Sequence, residues 1–574
     1  MKLDPNHPRP TLQRPGWKSL EGPWNFSLNE AEDPKKVRFD RTIRVPFPPE
    51  SPGSGVGEPW VQVAWYRKVL RIKPRPSLRL FLRFGAVDYR AEVFLNGARV
   101  LEHEGGHTPF GLELTSFLER PLEVLVRAED DPSDPEKPRG KQALGEPEGI
   151  FYPRTTGIWQ PVWLEWVPES HIASLRLRPD LEALGFHLEV QAVGEGDAVE
   201  VALFPGVRGE VLREKPWLEA RFPLVGGLAR GFLGLPLKEE VGAILWRPEN
   251  PVLFPLRLRL LGGRRVLDEA YSYGGLREVS ARQGVFFLNR EPYFPKLALD
   301  QGLWPEGHLA PPGLEALRQD ILLAKVLGFN GVRKHQKLED PRYLHLADRF
   351  GLLVFAEMPS FFRFSPRAAR RYLAELVAAL ERDHNHPSVV AWVLFNESWG
   401  LWPWGPEARS FLQGVFFLAR SLDPTRLLVD NDGFEHGSFW DLYTVHDYAP
   451  PEVLARRYRQ KPFPLTPMGR PLSWEALPEG VRPFLSEFGG VRLKGSTPGW
   501  GYREVEGEEA FLQEVLRYLE VACESLLSGF CYTQLYDTFQ EENGLLDFWR
   551  RPKVPPERVR AFLEGCEARR VLWE

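Results

Sequence analysis

The chain has 574 residues, a formal net charge of −5 and 43% hydrophobic residues. This length exceeds what one hydrophobic core usually supports, so several domains are predicted. No apolar run approaches the roughly 20 residues of a membrane-spanning helix, and basic residues are interspersed with acidic ones. The composition therefore predicts neither a membrane protein nor a nucleic-acid-binding surface, and a neutral substrate fits better.

The N-terminal ten residues are polar and proline-rich and have no apolar stretch of the kind found in signal peptides, which predicts a cytoplasmic protein. The cysteines Cys523, Cys531 and Cys566 have no CxxC spacing, so we interpret them as buried thiols and expect neither a disulfide framework nor a zinc site. Three Met, three Cys and 54 Pro are typical of a thermostable protein. The oligomeric state stays open, with a homo-oligomer as one option.

The first half of the chain consists of short segments with alternating apolar and polar residues. Trp65–Ile72, Leu78–Phe84 and Ala91–Leu95 follow this period of two and are separated by turns such as Asn96-Gly97. This pattern predicts a jelly-roll-like antiparallel β-sandwich over residues 1–168. A second, immunoglobulin-like β-sandwich is predicted over residues 169–282.

Residues 283–574 change to short apolar strands that alternate with helical segments. Such alternation is typical of βα units around a parallel sheet. There are eight candidate strands, which predicts a (β/α)8 TIM barrel. The predicted strands are Phe294–Leu299, Asn330–Arg333, Leu352–Phe355, Val389–Phe395, Leu427–Val429, Leu442–Val445, Phe484–Ser486 and Gly529–Gln534.

Two glutamates directly follow predicted barrel strands. Glu397 follows the fourth strand and Glu487 closes the seventh, so both should lie at the C-terminal mouth, where TIM barrels carry their active sites. Glycoside hydrolysis requires such a pair, with one carboxyl as acid/base and the other as nucleophile. A single strand-end glutamate would more often be an exposed ion-pair partner; the pair on facing strands favours catalysis.

Asn396 directly precedes Glu397. Its amide is expected to donate a hydrogen bond to the 2-hydroxyl of the sugar, and this bond should strengthen in the transition state. The sequence therefore predicts carbohydrate binding on the side of the acid/base as well as bond cleavage.

Long segments of the chain resemble glycoside hydrolase family 2, which includes β-galactosidases, β-glucuronidases and β-mannosidases. Residues 382–397 (RDHNHPSVVAWVLFNE) are similar to the acid/base signature of that family, and residues 484–489 (FLSEFG) to its nucleophile segment. Residues 328–335, 347–357 and 151–165 resemble further family segments. The resemblance implies retention of configuration through a covalent glycosyl-enzyme.

The resemblance also implies roles for residues around the two glutamates. Arg333 would support the nucleophile electrostatically, Tyr448 would hydrogen-bond it, and His446 would contact the sugar. The resemblance is weaker at two positions. His335 is followed by Gln where the family motif continues with an aromatic residue and Pro, and Tyr532 stands where many members have a tryptophan platform.

Trp399, just after the acid/base, either stacks on the leaving group or only packs its loop. No metal and no cofactor are expected, because Glu357 is followed by Met-Pro and not by the Glu-x-His of magnesium-dependent members.

We therefore expect a retaining exo-β-glycosidase that resembles β-galactosidases. The alternatives are a β-mannosidase or β-glucuronidase of the same family, an endo-acting glucanase, or an inactive carbohydrate-binding protein. Against a glucuronidase, residues 540–546 (QEENGLL) lack the Asn-x-Lys motif that resembling glucuronidases use to bind the substrate carboxylate.

Overall fold

The computed structural model describes residues 3–118, 120–206, 215–236, 241–495 and 498–568. Its N-terminal part is a β-sandwich, in which a four-stranded sheet (order β1-β12-β5-β9) packs on a six-stranded sheet (order β3-β2-β4-β10-β7-β8). Strands β6 and β11 pair at one end of the sandwich. The strands are β1 (Trp17–Ser19), β2 (Gly22–Ser27), β3 (Arg41–Val45), β4 (Val63–Leu70), β5 (Leu78–Phe84), β6 (Val87–Asp88), β7 (Arg90–Leu95), β8 (Ala98–Glu104), β9 (Phe110–Glu113), β10 (Leu122–Glu129), β11 (Gly157–Ile158) and β12 (Val162–Pro168).

A second sandwich follows, with sheet orders β13-β14-β17 and β16-β15-β18-β19. Its core is formed by the apolar residues that alternate along each strand and face the opposite sheet. The elements are β13 (His171–Asp180), β14 (Gly185–Val193), β15 (Ala198–Leu203), β16 (Leu218–Pro223), β17 (Leu228–Gly234), α1 (Val241–Ile244), β18 (Phe254–Gly262) and β19 (Arg265–Gly274).

The remaining chain forms a parallel eight-stranded barrel, and all eight predicted strands are confirmed. The order β27-β26-β25-β24-β23-β32-β29-β28 shows that neighbours in sequence are neighbours in the barrel. The elements are β20 (Val279–Arg282), β21 (Val285–Leu288), β22 (Glu291–Pro292), β23 (Lys296–Asp300), α2 (Leu314–Val326), β24 (Gly331–Lys334), α3 (Pro341–Phe350), β25 (Leu353–Glu357), α4 (Pro366–Asp383), β26 (Val389–Asn396), α5 (Pro406–Leu422), β27 (Leu427–Asp432), β28 (Thr444–His446), α6 (Pro451–Tyr458), β29 (Phe484–Gly489), β30 (Val491–Leu493), β31 (Arg503–Val505), α7 (Glu508–Glu524), β32 (Gly529–Thr533) and α8 (Pro556–Ala568).

The barrel helices begin where the sequence provides capping groups. Asp340 accepts a hydrogen bond from the backbone N–H of Arg342 at the start of α3, and Ser365 accepts one from that of Ala368 at the start of α4. Proline occupies the first helical position in both, where its missing N–H costs nothing. Helix α3 ends at Gly351, whose φ of 72° is accessible to glycine at little cost.

The barrel interior is filled at its N-terminal end by apolar side chains. The short hairpin β20–β22 inserts Phe286 and Leu288 beneath inward-facing strand residues such as Leu297 and Phe355. This packing fills the bottom of the barrel, and the two candidate glutamates lie at the opposite, C-terminal mouth. No helix among the described residues is long and apolar enough to cross a membrane.

The interpretation of all three cysteines as thiols was wrong. Cys523 of α7 and Cys566 of α8 form a disulfide, and only Cys531 of the cysteines is free, buried inside the barrel. The two bonded residues are 43 positions apart, so no local spacing could have indicated the pairing. The bond attaches the last described helix to the barrel wall.

Breaking this disulfide should destabilise the barrel. Cys566→Ala should lower the free energy of unfolding by about 3–4 kcal/mol, because the unfolded chain is no longer constrained across a long loop. Denaturant unfolding with and without a reductant measures the effect, since reductant should destabilise the parent and leave the variant unchanged. Equal sensitivity of both proteins to reductant, or three titratable thiols in the oxidised parent, would show that the bond does not form.

Candidate active site

The two predicted catalytic glutamates lie together at the barrel mouth. One carboxylate oxygen of Glu397 and one of Glu487 lie within 4.8 Å of each other, with a ring nitrogen of His446 inside the same limit from both. The Glu487 side chain is 7% exposed and that of Glu397 is 22% exposed. Glu397 is therefore the carboxyl that is more open to a leaving group and to water.

A sharp bend after β26 places Glu397. Glu397 and Ser398 have φ values of 51° and 61°, in the left-handed region that costs a non-glycine residue about 1–3 kcal/mol. Hydrogen bonds to β27 hold the bend, from the Glu397 N–H to the Asp432 carbonyl (2.9 Å) and from the Ser398 N–H to the Asn431 side chain (2.8 Å). The strand therefore ends with its glutamate fixed beside the neighbouring strands.

Arg333 of β24 connects most of the site. Its guanidinium is 1% exposed and contacts carboxylates on three other strands: Glu357 (2.7 Å), Asp432 (2.5 Å) and the nucleophile candidate Glu487 (3.2 Å). It also donates to the side-chain oxygen of Asn396 at 2.7 Å. Arginine suits this position because its planar group provides five fixed donors that stay charged when buried.

This contact also orients Asn396. Because Arg333 can only donate, the Asn396 atom facing it must be the amide oxygen. The amide NH2 group is left to donate elsewhere, as the predicted bond to a sugar 2-hydroxyl requires.

Glu357 at the end of β25 holds His335 in place. It accepts hydrogen bonds from Arg333 and from His335 Nδ1 (3.1 Å), and from Gln336 at 2.6 Å. Burial lowers the pKa of His335 to about 4, so the ring is neutral. A proton on Nδ1, shared with Glu357, leaves Nε2 as an acceptor 3.9 Å from Glu487. His335, whose motif departs from the family pattern, is thus in the site.

His446 links the two catalytic candidates. Nδ1 is 2.7 Å from Glu397 and 3.4 Å from Glu487, and Nε2 is 2.7 Å from Asp432. Burial opposes a charge on this ring, but the charges of Glu487 and Asp432 raise its pKa to about 10. Burial likewise tends to raise the pKa of Glu397, yet the hydrogen bond and charge of His446 lower it overall. Because both ring nitrogens donate, His446 has no lone pair for a metal; that no metal is required stays a prediction.

Tyr448 follows β28 and donates to Glu487 Oε2 at 2.8 Å. Its hydroxyl is 3.0 Å from that of Thr533 at the end of β32, and its ring stacks on Tyr502 with centroids 3.5 Å apart. The oxygen of Glu487 that faces His446 is therefore also oriented by a tyrosine fixed on its other side.

Tyr532 is not brought into this cluster, although we expected it to contact the sugar. It is fully buried on the helix side of β32, edge-on to Phe488 with ring centroids 5.5 Å apart. Side chains alternate along a strand, so Cys531 and Thr533 face the interior while Tyr532 faces outward.

Trp399 lies at the edge of the mouth and stacks on Phe362 at 5.8 Å between centroids, with Phe151 of the N-terminal part at 6.2 Å. By contrast, Trp404 donates to Glu435 and packs edge-on against Trp474, so it stabilises its loop. Trp399 is thus the tryptophan of this loop that stands beside Glu397 with an aromatic wall around it.

Several site residues were missed from the sequence. Asp432 ends the fifth strand, and the rule that found the glutamates would have found it. Tyr152 and Glu541 carried no such signal: the Tyr152 hydroxyl, from the N-terminal part, donates to the buried Glu541 carboxylate after the eighth strand. The pocket wall is therefore shared between two regions far apart in sequence.

Comparisons with known proteins find similar glycoside hydrolases. The family profile described as "Glycosyl hydrolases family 2, TIM barrel domain" matches residues 312–449. A β-glucuronidase of Streptococcus agalactiae is 26% identical over 71% of this chain and 70% of its own length. A β-galactosidase of Aeromonas hydrophila is 27% identical over 81% of this chain, which spans only 45% of that protein.

Among solved structures, a β-glucuronidase from Ruminococcus gnavus in complex with D-glucuronic acid superposes with a TM-score of 0.76. It is 19% identical and is covered over 98% of its length, with 96% of this chain aligned. At this identity the likeness concerns the fold.

The buried Glu357 should stabilise the site in a pH-dependent way. Burial alone would raise the pKa of Glu357, but Arg333 and His335 lower it from 4.5 to about 2. Its contribution is then complete above pH 4.5 and lost as the pH falls towards 2. Glu357→Gln should cost about 3 kcal/mol at pH 7, because a buried arginine loses a partner.

Urea unfolding of parent and Glu357→Gln at pH 7, 4.5 and 3 measures this difference, with the exposed substitution Glu557→Gln as control. The gap between parent and Glu357→Gln should narrow below pH 4.5. A gap that stays constant down to pH 3 would contradict the assigned ionisation.

Proposed function

We propose that this chain, which belongs to glycoside hydrolase family 2, is a retaining exo-β-glycosidase that releases a β-linked sugar from the non-reducing end of its substrate. The observation that carries the proposal is the approach of Glu397 and Glu487, whose oxygens lie within 4.8 Å of each other. Retaining enzymes hold their carboxyl groups about 5–5.5 Å apart, whereas inverting enzymes leave room for a water between them at about 6.5–9.5 Å.

In the first step Glu487 attacks the anomeric carbon. The bond from that carbon to the leaving oxygen breaks, and this oxygen takes a proton from Glu397. Arg333 and Tyr448 hold the two oxygens of Glu487 in the attacking position. The product is a glycosyl ester of Glu487, so one negative charge of the site is consumed.

In the second step Glu397 takes a proton from water, which attacks the same carbon and releases Glu487. Glu397 must hold a proton in one step and lack it in the next. His446 supplies a neighbouring site for that proton, because its Nδ1–H lies 2.7 Å from Glu397. The charge of Glu487 changes during the reaction and acts directly on the His446 ring. The protonation of Glu397 and His446 can therefore change from one step to the next.

We further propose that the sugar is a neutral hexoside, with β-galactosides first. Glu541 is buried at the pocket wall, and the cations considered as partners of a substrate carboxylate are occupied: Arg550 pairs with Asp320 at 2.9 Å, and Arg333 with three acids. An anionic sugar would still meet the like charge of buried Glu541, which offsets the charge of Lys141 on the same wall. A β-uronide is the second candidate, because the similar structures include a β-glucuronidase holding D-glucuronic acid.

Substituting each glutamate should separate their roles. Glu487→Ala should abolish hydrolysis, and azide should restore turnover with a glycosyl azide of inverted configuration, because the anion replaces the missing nucleophile. Glu397→Ala should lose about 10²- to 10⁴-fold on substrates with poor leaving groups and much less on nitrophenyl glycosides. With azide it should give the retained product.

Product configuration by ¹H NMR checks both variants. The reverse assignment of azide products would exchange the two roles, and an inverted sugar from the parent would refute the retaining mechanism.

Sugar preference is tested by comparing kcat/KM for matched nitrophenyl β-glycosides. The β-galactoside should exceed the β-mannoside, in which the 2-hydroxyl is axial, and should exceed the β-glucuronide by more than about 100-fold, since repulsion in the pocket costs several kcal/mol. A glucuronide that is the best substrate would refute the neutral-sugar proposal while leaving the mechanism intact.

A further inference from the structure

A segment of the N-terminal part, residues 139–154, reaches the barrel mouth and is fixed there by its backbone. The N–H groups of Arg139 and Gly140 both donate to the Ser360 carbonyl at 3.1 Å. Gly140 has a φ of 62°, and a Cβ atom there would lie 2.4 Å from the Gln336 carbonyl oxygen. At the other end, the indole N–H of Trp500 donates to the Gly149 carbonyl at 2.8 Å. The segment is therefore positioned relative to the site.

Lys141 belongs to this segment and lies next to the site. Its ammonium lies 5.7 Å from the ring centroid of Tyr152, and its side chain lines a cavity together with Gln301, His335 and Gln336. Among the described residues the ammonium has neither a hydrogen-bond partner nor an ion-pair partner. Burying a cation without a partner costs free energy. This indicates that a bound ligand supplies the missing partner of Lys141.

The acceptor Glu541 belongs to the same wall. One of its oxygens accepts from Tyr152 and the other from the Asn543 amide at 3.1 Å. Burial raises the pKa of Glu541, although the charge of Lys141 opposes this, which indicates that the two groups act on one another. Each carboxylate oxygen has a further lone pair beyond these bonds. Lys141 and Glu541 together offer donors and an acceptor.

The barrel places this pair away from the 2-hydroxyl side of the pocket. Asn396 and Glu397 follow the fourth strand, β26, whereas Gln301 and Glu541 follow the first and eighth strands, β23 and β32. These strands lie on opposite sides of an eight-stranded barrel. In a pyranose ring C4 lies across from C1, so the hydroxyls at C4 and C6 project towards this wall.

We propose that Lys141 is a specificity-determining residue whose ammonium donates to the oxygen at C4 or C6 of the terminal sugar, while Glu541 accepts from a neighbouring hydroxyl. This inference rests on the proposed glycosidase function. It assigns the part of the pocket wall that contacts the sugar at C4 and C6. Hydroxyl groups suit it because each can accept from Lys141 and donate to Glu541.

The test combines Lys141→Met with substrates that lack single hydroxyls. Methionine nearly keeps the length of the side chain and removes the ammonium, and the fold should persist because no hydrogen bond or ion pair within the described residues is lost. The substrates are nitrophenyl β-galactoside, its 6-deoxy analogue (β-D-fucoside) and its 4-deoxy analogue. Lys18→Met, on the exposed strand β1, is the control that should leave every value unchanged.

Lys141→Met should lower kcat/KM on the galactoside by about 10- to 100-fold, the effect of losing one charged hydrogen bond. On the deoxy analogue that lacks the contacted hydroxyl, variant and parent should agree within about 2-fold. This coupling on one analogue supports the proposal.

An equal loss on all three substrates would overturn the proposal, because Lys141 would then act on the chemistry rather than on a hydroxyl. No loss on any substrate would also overturn it. If the parent enzyme cleaves the galactoside but the effect of Lys141→Met is not coupled to either missing hydroxyl, only this inference is refuted. A parent that cleaves no glycoside at all refutes the proposed function itself.

Discussion

The candidate active site depends on one arginine that is buried among acids. Arg333 is almost fully buried and offsets part of the negative charge of three carboxylates from other strands, Glu357, Asp432 and Glu487, which repel one another at short range. Each acid in turn offsets the cost of removing a guanidinium from water. Because the partners are spread around the barrel, the ion cluster also fixes the distances between strands at the mouth.

His446 is the second cation of the site, and its position extends this balance of charges to Glu397, the proposed acid/base. It lies between Asp432 and Glu397 and close to Glu487, so the two proposed catalytic glutamates are coupled through one ring. Arginine cannot release its proton in a protein, whereas histidine can. The site therefore combines a permanent charge that maintains its geometry with a titratable one that can follow the chemistry.

Local sequence patterns were sufficient for the barrel and for its two glutamates. Apolar strands that run directly into a polar residue can be recognised without long-range information, and Glu397 and Glu487 both follow this rule. The failure at Tyr532 has a local cause as well: in β32 the residues facing the interior are Cys531 and Thr533, and strand alternation assigns Tyr532 to the helix layer.

Contacts between distant segments could not be derived in this way. The disulfide joins residues 43 positions apart, and the hydrogen bond from Tyr152 to Glu541 spans most of the chain. Neither leaves a periodic or spacing signal.

The attachment of residues 139–154 to the barrel separates the proposed recognition of the sugar from the proposed bond cleavage. The backbone N–H groups of Arg139 and Gly140 donate to the Ser360 carbonyl of the barrel, and the Tyr152 hydroxyl donates to Glu541. The Lys141 side chain makes neither of these bonds, so it can change while the attachment is kept. For protein engineering, positions of this segment that make no such bond could be randomised to select new sugar preferences, while the two proposed catalytic glutamates are kept.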